Sequence, residues 1–199
     1  MKKRVVLVVT FLLSIGMPLL ACTNLIVGKK ASIDGSVMVT YNDDAGSKFG
    51  HLCHFPAATH EPGEMRKVYD WETKRYLGEI PEAPITYNVV GNINEFQLSI
   101  CESTFGGRYE LQNRKGILDY GSLIYIALQR CKTAREAIKL ITDLIDEYGY
   151  YSSGESFSIC DKNEAWIMEL IGKGEGTNGS VWVAVRIPDD AICAHANQS

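Results

Sequence analysis

Cys22 is the residue around which chemistry can be built. It stands in "LLACTNLIVGKKASIDGS" (residues 19–36), after Leu19, Leu20 and Ala21 and directly before an apolar, β-branched run. Upstream, Lys2, Lys3 and Arg4 lead into an apolar stretch from Val5 to Gly16 that closes on Pro18 and the small Ala21. That is the layout of a secretory signal spanning residues 1–21, and the stretch is shorter than the about 20 apolar residues of a membrane span. Cleavage before Cys22 would put an α-amino group on the residue that carries the thiol, placing a base beside a nucleophile. At pH 7.5 an α-amine with a pKa near 7.8 is about one third neutral, whereas an ordinary lysine is neutral about once in a thousand molecules. Such an amine can take the thiol's proton and return it to a leaving amine. The chemistry would be attack on an amide carbonyl, followed by hydrolysis of the acyl-enzyme.

Two other readings of Cys22 stand beside this one. Leu19-Leu20-Ala21-Cys22 also fits a lipoprotein cleavage box, which would lipidate the thiol and make the membrane a partner of a non-catalytic binding module. A lipid anchor normally needs a flexible tether, and here Thr23 and Asn24 lead straight into Leu25, Ile26 and Val27. A structural role is the common fate of a free thiol. It is the reading for Cys53, Cys101, Cys131, Cys160 and Cys193, whose wide spacing resembles no small disulfide scaffold even though export permits disulfides.

An acyl-transfer site also needs a group to hold the ammonium and donors for the tetrahedral oxyanion, each donor worth about 2.7–4 kcal/mol. Asp43 and Asp44 close a predicted strand whose hairpin pairing returns them towards Cys22; a solvated turn is the alternative. Asn197, after the last predicted strand, is either a side-chain donor or a turn residue. Other constellations carry less. His51, Cys53, His54 and His60 share a loop but match no standard zinc spacing, so neither a metal nor another cofactor is expected. "GESFS" lacks the final glycine of a serine-hydrolase elbow, which leaves Ser156 a strand residue. "GKGEG" is no phosphate loop, and Tyr148, Tyr150 and Tyr151 read as helix-end packing.

The elements that must position these residues follow from periodicity. Thr23 to Val27 and Val37 to Tyr41 flank the Asp34-Gly35 turn signal and predict an antiparallel hairpin. Residues 42–86 are too long for a simple connection. Tyr87 to Asn92 and Gln97 to Glu102 predict a second hairpin around "NINE". Asp119 caps a helix running to about Arg130, and Thr133 with Glu136 forms the capping box of a second helix. In that helix Ala134, Ala137, Ile138, Ile141, Leu144, Ile145 and Tyr148 make one apolar stripe that needs a sheet to pack on. "SFSIC", "AWIMELI", "SVWVAVRI" and "AICAHA" predict four strands. Strands, helices, strands in that order predict an α+β domain with antiparallel sheet. The whole chain has 199 residues and a net charge of −4, and the signal holds three of its 20 basic residues and none of the 24 acidic ones. A basic nucleic-acid footprint is therefore absent.

Taken in order, "ACTNLIVGKKASIDGS", "VVGNINE", "ESTFGGR", "GILDYGSLIYIALQRCKTAREAI", "ESFSICDKNEAWIMELIGKG" and "HANQS" resemble the dipeptidase A-type cysteine peptidases, which are N-terminal nucleophile hydrolases. The resemblance covers nearly all of residues 22–199 and implies an αββα sandwich with antiparallel sheets. It also implies that the chain is the N-terminal part of a longer protein. Motif by motif it implies Cys22 as nucleophile, with its α-amine as base, and Asp44 of "YNDD" as the carboxylate that positions the amine. By similarity to the related bile salt hydrolases and penicillin V acylases, "CESTFGG" would supply a backbone oxyanion donor near Glu102 and Ser103, and Asn197 the side-chain donor. Many relatives carry Arg where this chain has Tyr41, which removes the usual electrostatic support of the thiolate. The activity so implied is hydrolysis of dipeptides by an exported, periplasmic or extracellular enzyme. The rivals are a bile salt or penicillin V type amide acylase of the same fold, and a lipoprotein anchored through Cys22.

Overall fold

The first hairpin is set by its turn. Asp34 Oδ1 accepts from Ser36 N at 3.0 Å and Ser36 Oγ at 2.6 Å, and Gly35 takes φ +77°, a conformation that favours glycine. The computed structural model describes residues 22–44, 50 and 52–199; the predicted signal and His51 lie outside them. Within them the strands are β1 (Thr23–Val27), β2 (Met38–Asn42), β3 (His54–Phe55), β4 (Ala58–Thr59), β5 (Met65–Tyr69), β6 (Tyr76–Pro81), β7 (Ile85–Thr86), β8 (Val89–Val90), β9 (Ile93–Asn94) and β10 (Ser99–Gly106). Helices α1 (Tyr120–Arg130) and α2 (Ala134–Tyr148) follow, then β11 (Gly154–Cys160), β12 (Ala165–Gly172), β13 (Ser180–Ile187) and β14 (Ile192–Ala196).

Two antiparallel sheets face each other. One has seven strands in the order β13-β12-β11-β10-β9-β8-β3, the other three in the order β14-β1-β2. The faces are fixed by strand phase, since neighbouring side chains point to opposite sides. Phe157, Ile159, Met168 and Leu170 face the helices and join a core with Leu123, Ile126, Ile141 and Ile145. Their neighbours Cys160, Ala165 and Ile167 face the small sheet and pack with Ile26, Val39 and Cys193. Each fully buried Leu, Ile or Phe is worth about 1.5–3 kcal/mol relative to exposure. The order is therefore helices, large sheet, small sheet, the α+β sandwich expected from the strand and helix order.

Both helix starts are as predicted. Asp119 accepts from Ser122 N, and Thr133 and Glu136 close a capping box. The apolar stripe of α2 is the buried one, with Ala134, Ala137, Ile141, Leu144 and Ile145 inside. Three features differ from expectation. Residues 42–86 are not a plain loop: in their described part β3 joins the edge of the large sheet, and β4-β7 and β5-β6 form two two-stranded sheets. The "NINE" hairpin is shorter than expected, because the buried Asn94 accepts from Phe96 N and Leu98 N and donates to Leu128 O and Cys131 O, so its amide outcompetes ladder pairing. And β14 leaves its sequence neighbours to pair with β1 in the small sheet. All six cysteines are free.

Candidate active site

Because β1 lies between β14 and β2, residues from three distant parts of the chain line up in rows. Ile26 pairs with Cys193 and Val39, and Asn24 with His195 and Tyr41. One step further along the inward phase stands Cys22, flanked by Asp43 and Asn197, one residue beyond the ends of β2 and β14. The Cys22 thiol donates to Asp43 Oδ1 at 3.7 Å. It also lies within reach of the Asp44 backbone N–H and the Asn197 side chain. Burial pushes the thiol above its ordinary pKa. The charges of Glu102 and Asp43 push the same way, and the Asp44 N–H and the Asn197 amide oppose them. The sulfur is thus protonated at rest and needs a base before it can react.

Cys22, Asp43 and Asn197 lie side by side at this end of the small sheet. Asp43, not Asp44, puts its carboxylate on the thiol, while Asp44 Oδ1 accepts from Asn42 Nδ2 at 2.9 Å. Asn197 Nδ2 donates to Thr104 O at 2.6 Å, which fixes the amide and leaves its second N–H to turn towards the sulfur. Glu102 and Ser103 are buried on β10. The end of β10 is shaped by a register shift between Thr104 and Gly106. There the Phe105 ring lies over Gly154, where a Cβ would come within 2.2 Å of it.

Beyond Ile100, whose N–H reaches Asn92 O at 3.1 Å, β10 has no strand partner on its β9 side among the described residues. Its edge carbonyls are capped by asparagine amides instead: Asn92 Nδ2 on Ile100 O at 2.8 Å, Asn24 Nδ2 on Glu102 O at 3.0 Å, and Asn197 on Thr104 O. Tyr41 donates to Glu102 Oε1 at 2.7 Å. This carboxylate thus meets a hydroxyl whose own pKa is raised by burial and then by the Glu102 charge. Thr104 Oγ1 lies 2.8 Å from Glu155 Oε2 and 3.5 Å from Glu102 Oε2. Glu155 is fully buried, and desolvation, reinforced by the Glu102 charge, raises its pKa well above the carboxylate range.

Several of these residues escape a reading by motif. Asn24 contacts Ser158 Oγ at 3.3 Å, and Ser158 Oγ lies 2.6 Å from His195 Nε2. Burial lowers the His195 pKa, disfavouring the imidazolium form. The available signal was strand phase: Asn24 shares the inward phase of Ile26, and His195 that of Cys193. Five buried polar atoms without a hydrogen-bond partner among the described residues gather here: Asn24 Oδ1, Ser103 Oγ, Glu155 Oε1, His195 Nδ1 and Asn197 Oδ1. Such atoms are rare in folded interiors and tend to mark function. His54 and His60 do not join them: His54 lies 2.9 Å from Asn88 Oδ1, and His60 2.8 Å from Glu64 Oε1. No group of three His, Cys, Asp or Glu among the described residues is arranged to hold a metal ion.

Comparison with known proteins follows the same outline. Residues 21–69 and 47–199 match the model of Peptidase family C69. A probable dipeptidase of Salmonella dublin is 31% identical over 100% of this chain and 47% of its own length. A probable dipeptidase of Latilactobacillus sakei is 30% identical over 89% of this chain and 39% of its own. Dipeptidase A of Lactobacillus helveticus is 28% identical, over 89% and 40%. The chain spans less than half the length of these relatives.

Proposed function

The chain belongs to Peptidase family C69, and from that premise we propose that it is the catalytic N-terminal part of an exported cysteine-type dipeptidase, cut before Cys22. The observation that carries this reading is the row Asp43–Cys22–Asn197, in which a protonated thiol touches a carboxylate and an amide donor at one end of the sandwich. A thiol raised by burial is a poor nucleophile unless a base is at hand, and the α-amine freed on Cys22 would be that base. Asp43, Asp44 and Glu102 favour the ammonium form of this amine and so strengthen it as a proton acceptor. Asp44 holds the ammonium. The sulfur adds to the carbonyl carbon of the scissile peptide, and the developing oxyanion receives the second N–H of Asn197 and a backbone N–H of the Glu102–Ser103 segment. Collapse expels the leaving amine with the proton carried by the α-ammonium. Water then attacks the thioester while the same amine takes its proton, and the C–S bond breaks to release the acid and the Cys22 thiolate, which recovers that proton from the ammonium. No cofactor enters this scheme.

The experiment is intact-mass analysis of the purified protein together with a panel of dipeptides. A mature chain beginning at Cys22 with a free amine, and hydrolysis lost in Cys22→Ser, support the proposal. A diacylglyceryl adduct on Cys22 would make the protein a lipoprotein and defeat it. Cleavage of bile salts or penicillin V in place of dipeptides would move it to the amide acylases.

A further inference from the structure

We infer that Asn24 is a positioning residue for this site: its buried carboxamide ties the strand that carries the sulfur to the strand that supplies the backbone oxyanion donor, and caps the carbonyl that would oppose an oxyanion there. This rests on the reading of Cys22 as nucleophile and of the β10 edge as donor. β1 and β10 belong to different sheets, so no backbone ladder sets their spacing. Asn24 reaches across the gap. It shares the inward face of β1 with Cys22, two residues and so about 7 Å away. It is wholly buried, and its Nδ2 donates to Glu102 O at 3.0 Å. A carbonyl can only accept, so the amide nitrogen is the atom that faces β10. The same nitrogen lies 3.3 Å from Ser158 Oγ on β11, which in turn lies 2.6 Å from His195 Nε2 on β14. Strands of both sheets therefore meet on this one side chain.

The edge on which Asn24 acts has its acceptors covered. In an antiparallel strand the N–H and C=O of one residue point to the same side, and successive residues alternate. Ile100 shows the phase on β10: its N–H reaches Asn92 O, and its C=O accepts from Asn92 Nδ2. Glu102 and Thr104 repeat that phase, so their N–H groups and carbonyls face the open edge, while the Ser103 N–H turns to β11. A bare edge of this kind would set the Glu102 carbonyl between two N–H donors, where its lone pairs repel a developing negative charge. Asn24 caps that carbonyl, as Asn197 caps the one of Thr104. The carboxamide oxygens of both residues accept no hydrogen bond among the described residues, so neither consumes the edge N–H groups. The edge thus offers donors fixed in place before the reaction, the arrangement that stabilises an oxyanion.

The test compares two reactions of one sulfur. p-Nitrophenyl acetate transfers its acetyl group to the thiol through a tetrahedral oxyanion and releases p-nitrophenol, whereas iodoacetamide loses iodide from a saturated carbon and forms no oxyanion. Both are read at Cys22 by peptide mass, beside a thermal melt. Asn24→Ala, and Asn24→Leu, which keeps the volume without the donor, should slow acetylation by about 10- to 100-fold, the range for a reacting group misplaced by about 1 Å. Alkylation should stay unchanged, because burial, Asp43, Asp44, Glu102 and Asn197 set the thiol's pKa. With a dipeptide that the unaltered protein cleaves, the loss should fall on kcat and leave KM in place. Unchanged acetylation, a parallel fall in alkylation, or loss of the fold in both variants overturns the inference while leaving the peptidase reading intact. Selective loss of acetylation in a protein that cleaves no dipeptide upholds the role of Asn24 and removes the dipeptidase reading. A Cys22 that takes iodoacetamide but no acetyl group in the unaltered protein refutes the inference and the nucleophile together.

Discussion

Replacing Asn197 by alanine should separate the oxyanion role proposed for it from any role in folding. The side chain makes one hydrogen bond to the fold, Nδ2 to Thr104 O at 2.6 Å, and it is only half-buried. Losing that bond costs about 0.5–1.5 kcal/mol of stability. A transition-state donor is worth more, about 2.7–4 kcal/mol, or about 100- to 1,000-fold in kcat. The ground-state carbonyl makes little demand on the same N–H, so KM should move only slightly. Steady-state hydrolysis of a dipeptide that the unaltered protein cleaves, beside a thermal melt, reads both effects. Asn197→Asp sharpens the comparison: it keeps the size but replaces the donor by a carboxylate that opposes the oxyanion, so its kcat should be no higher than that of the alanine variant. A kcat within 10-fold of the unaltered protein in Asn197→Ala, with the fold intact, would refute the assignment of this amide to the oxyanion.

Tyr41→Phe leaves the buried Glu102 Oε1 without its 2.7 Å donor and should lower stability by about 1–3 kcal/mol, read by urea denaturation. Glu155 gives a pH signature. Its folded pKa is raised, so the native state binds a proton that the unfolded chain has released, and stability falls as pH climbs above the unfolded carboxylate range of about 4.3. Glu155→Gln should abolish that decline, and parallel stability profiles for the two proteins between pH 5 and 8 would contradict it. Asn94→Ala removes four hydrogen bonds from a buried amide and should cost about 3 kcal/mol or more, seen as a lower urea midpoint. The rate at which iodoacetamide labels Cys22 in Asn197→Ala should fall at neutral pH, because an amide that lowers the thiol pKa has gone.

The sequence made the local structure legible where local forces decide it. The Asp119 and Thr133 caps, the α2 stripe and the strands of the second half rest on hydrogen bonds and periodicities contained within about fifteen residues. Cys22, Asp43 and Asn197 were legible as candidates because each ends a strand, but nothing in a linear reading says that β14 crosses to the small sheet to bring Asn197 beside Cys22. That choice is made by burial, in which Cys193 and Ile26 share one apolar cluster. The choice between Asp43 and Asp44 depends on strand phase at a terminus, where one residue turns a side chain to the other face. Glu102 and Glu155 were hidden for a related reason: their strands read as apolar runs, and only cross-strand pairing brings the two carboxyls to the same threonine. The shortening of the "NINE" hairpin was illegible because the carbonyls that satisfy Asn94 belong to the α1 terminus, more than thirty residues away.

The placement of β1 between β14 and β2 bears on how such a protein is made. Asn24 and His195 are separated by 171 positions, and closing so large a loop is among the slower events in folding. Until the ribosome has released the segment around residue 195, the sulfur has only half of its surroundings.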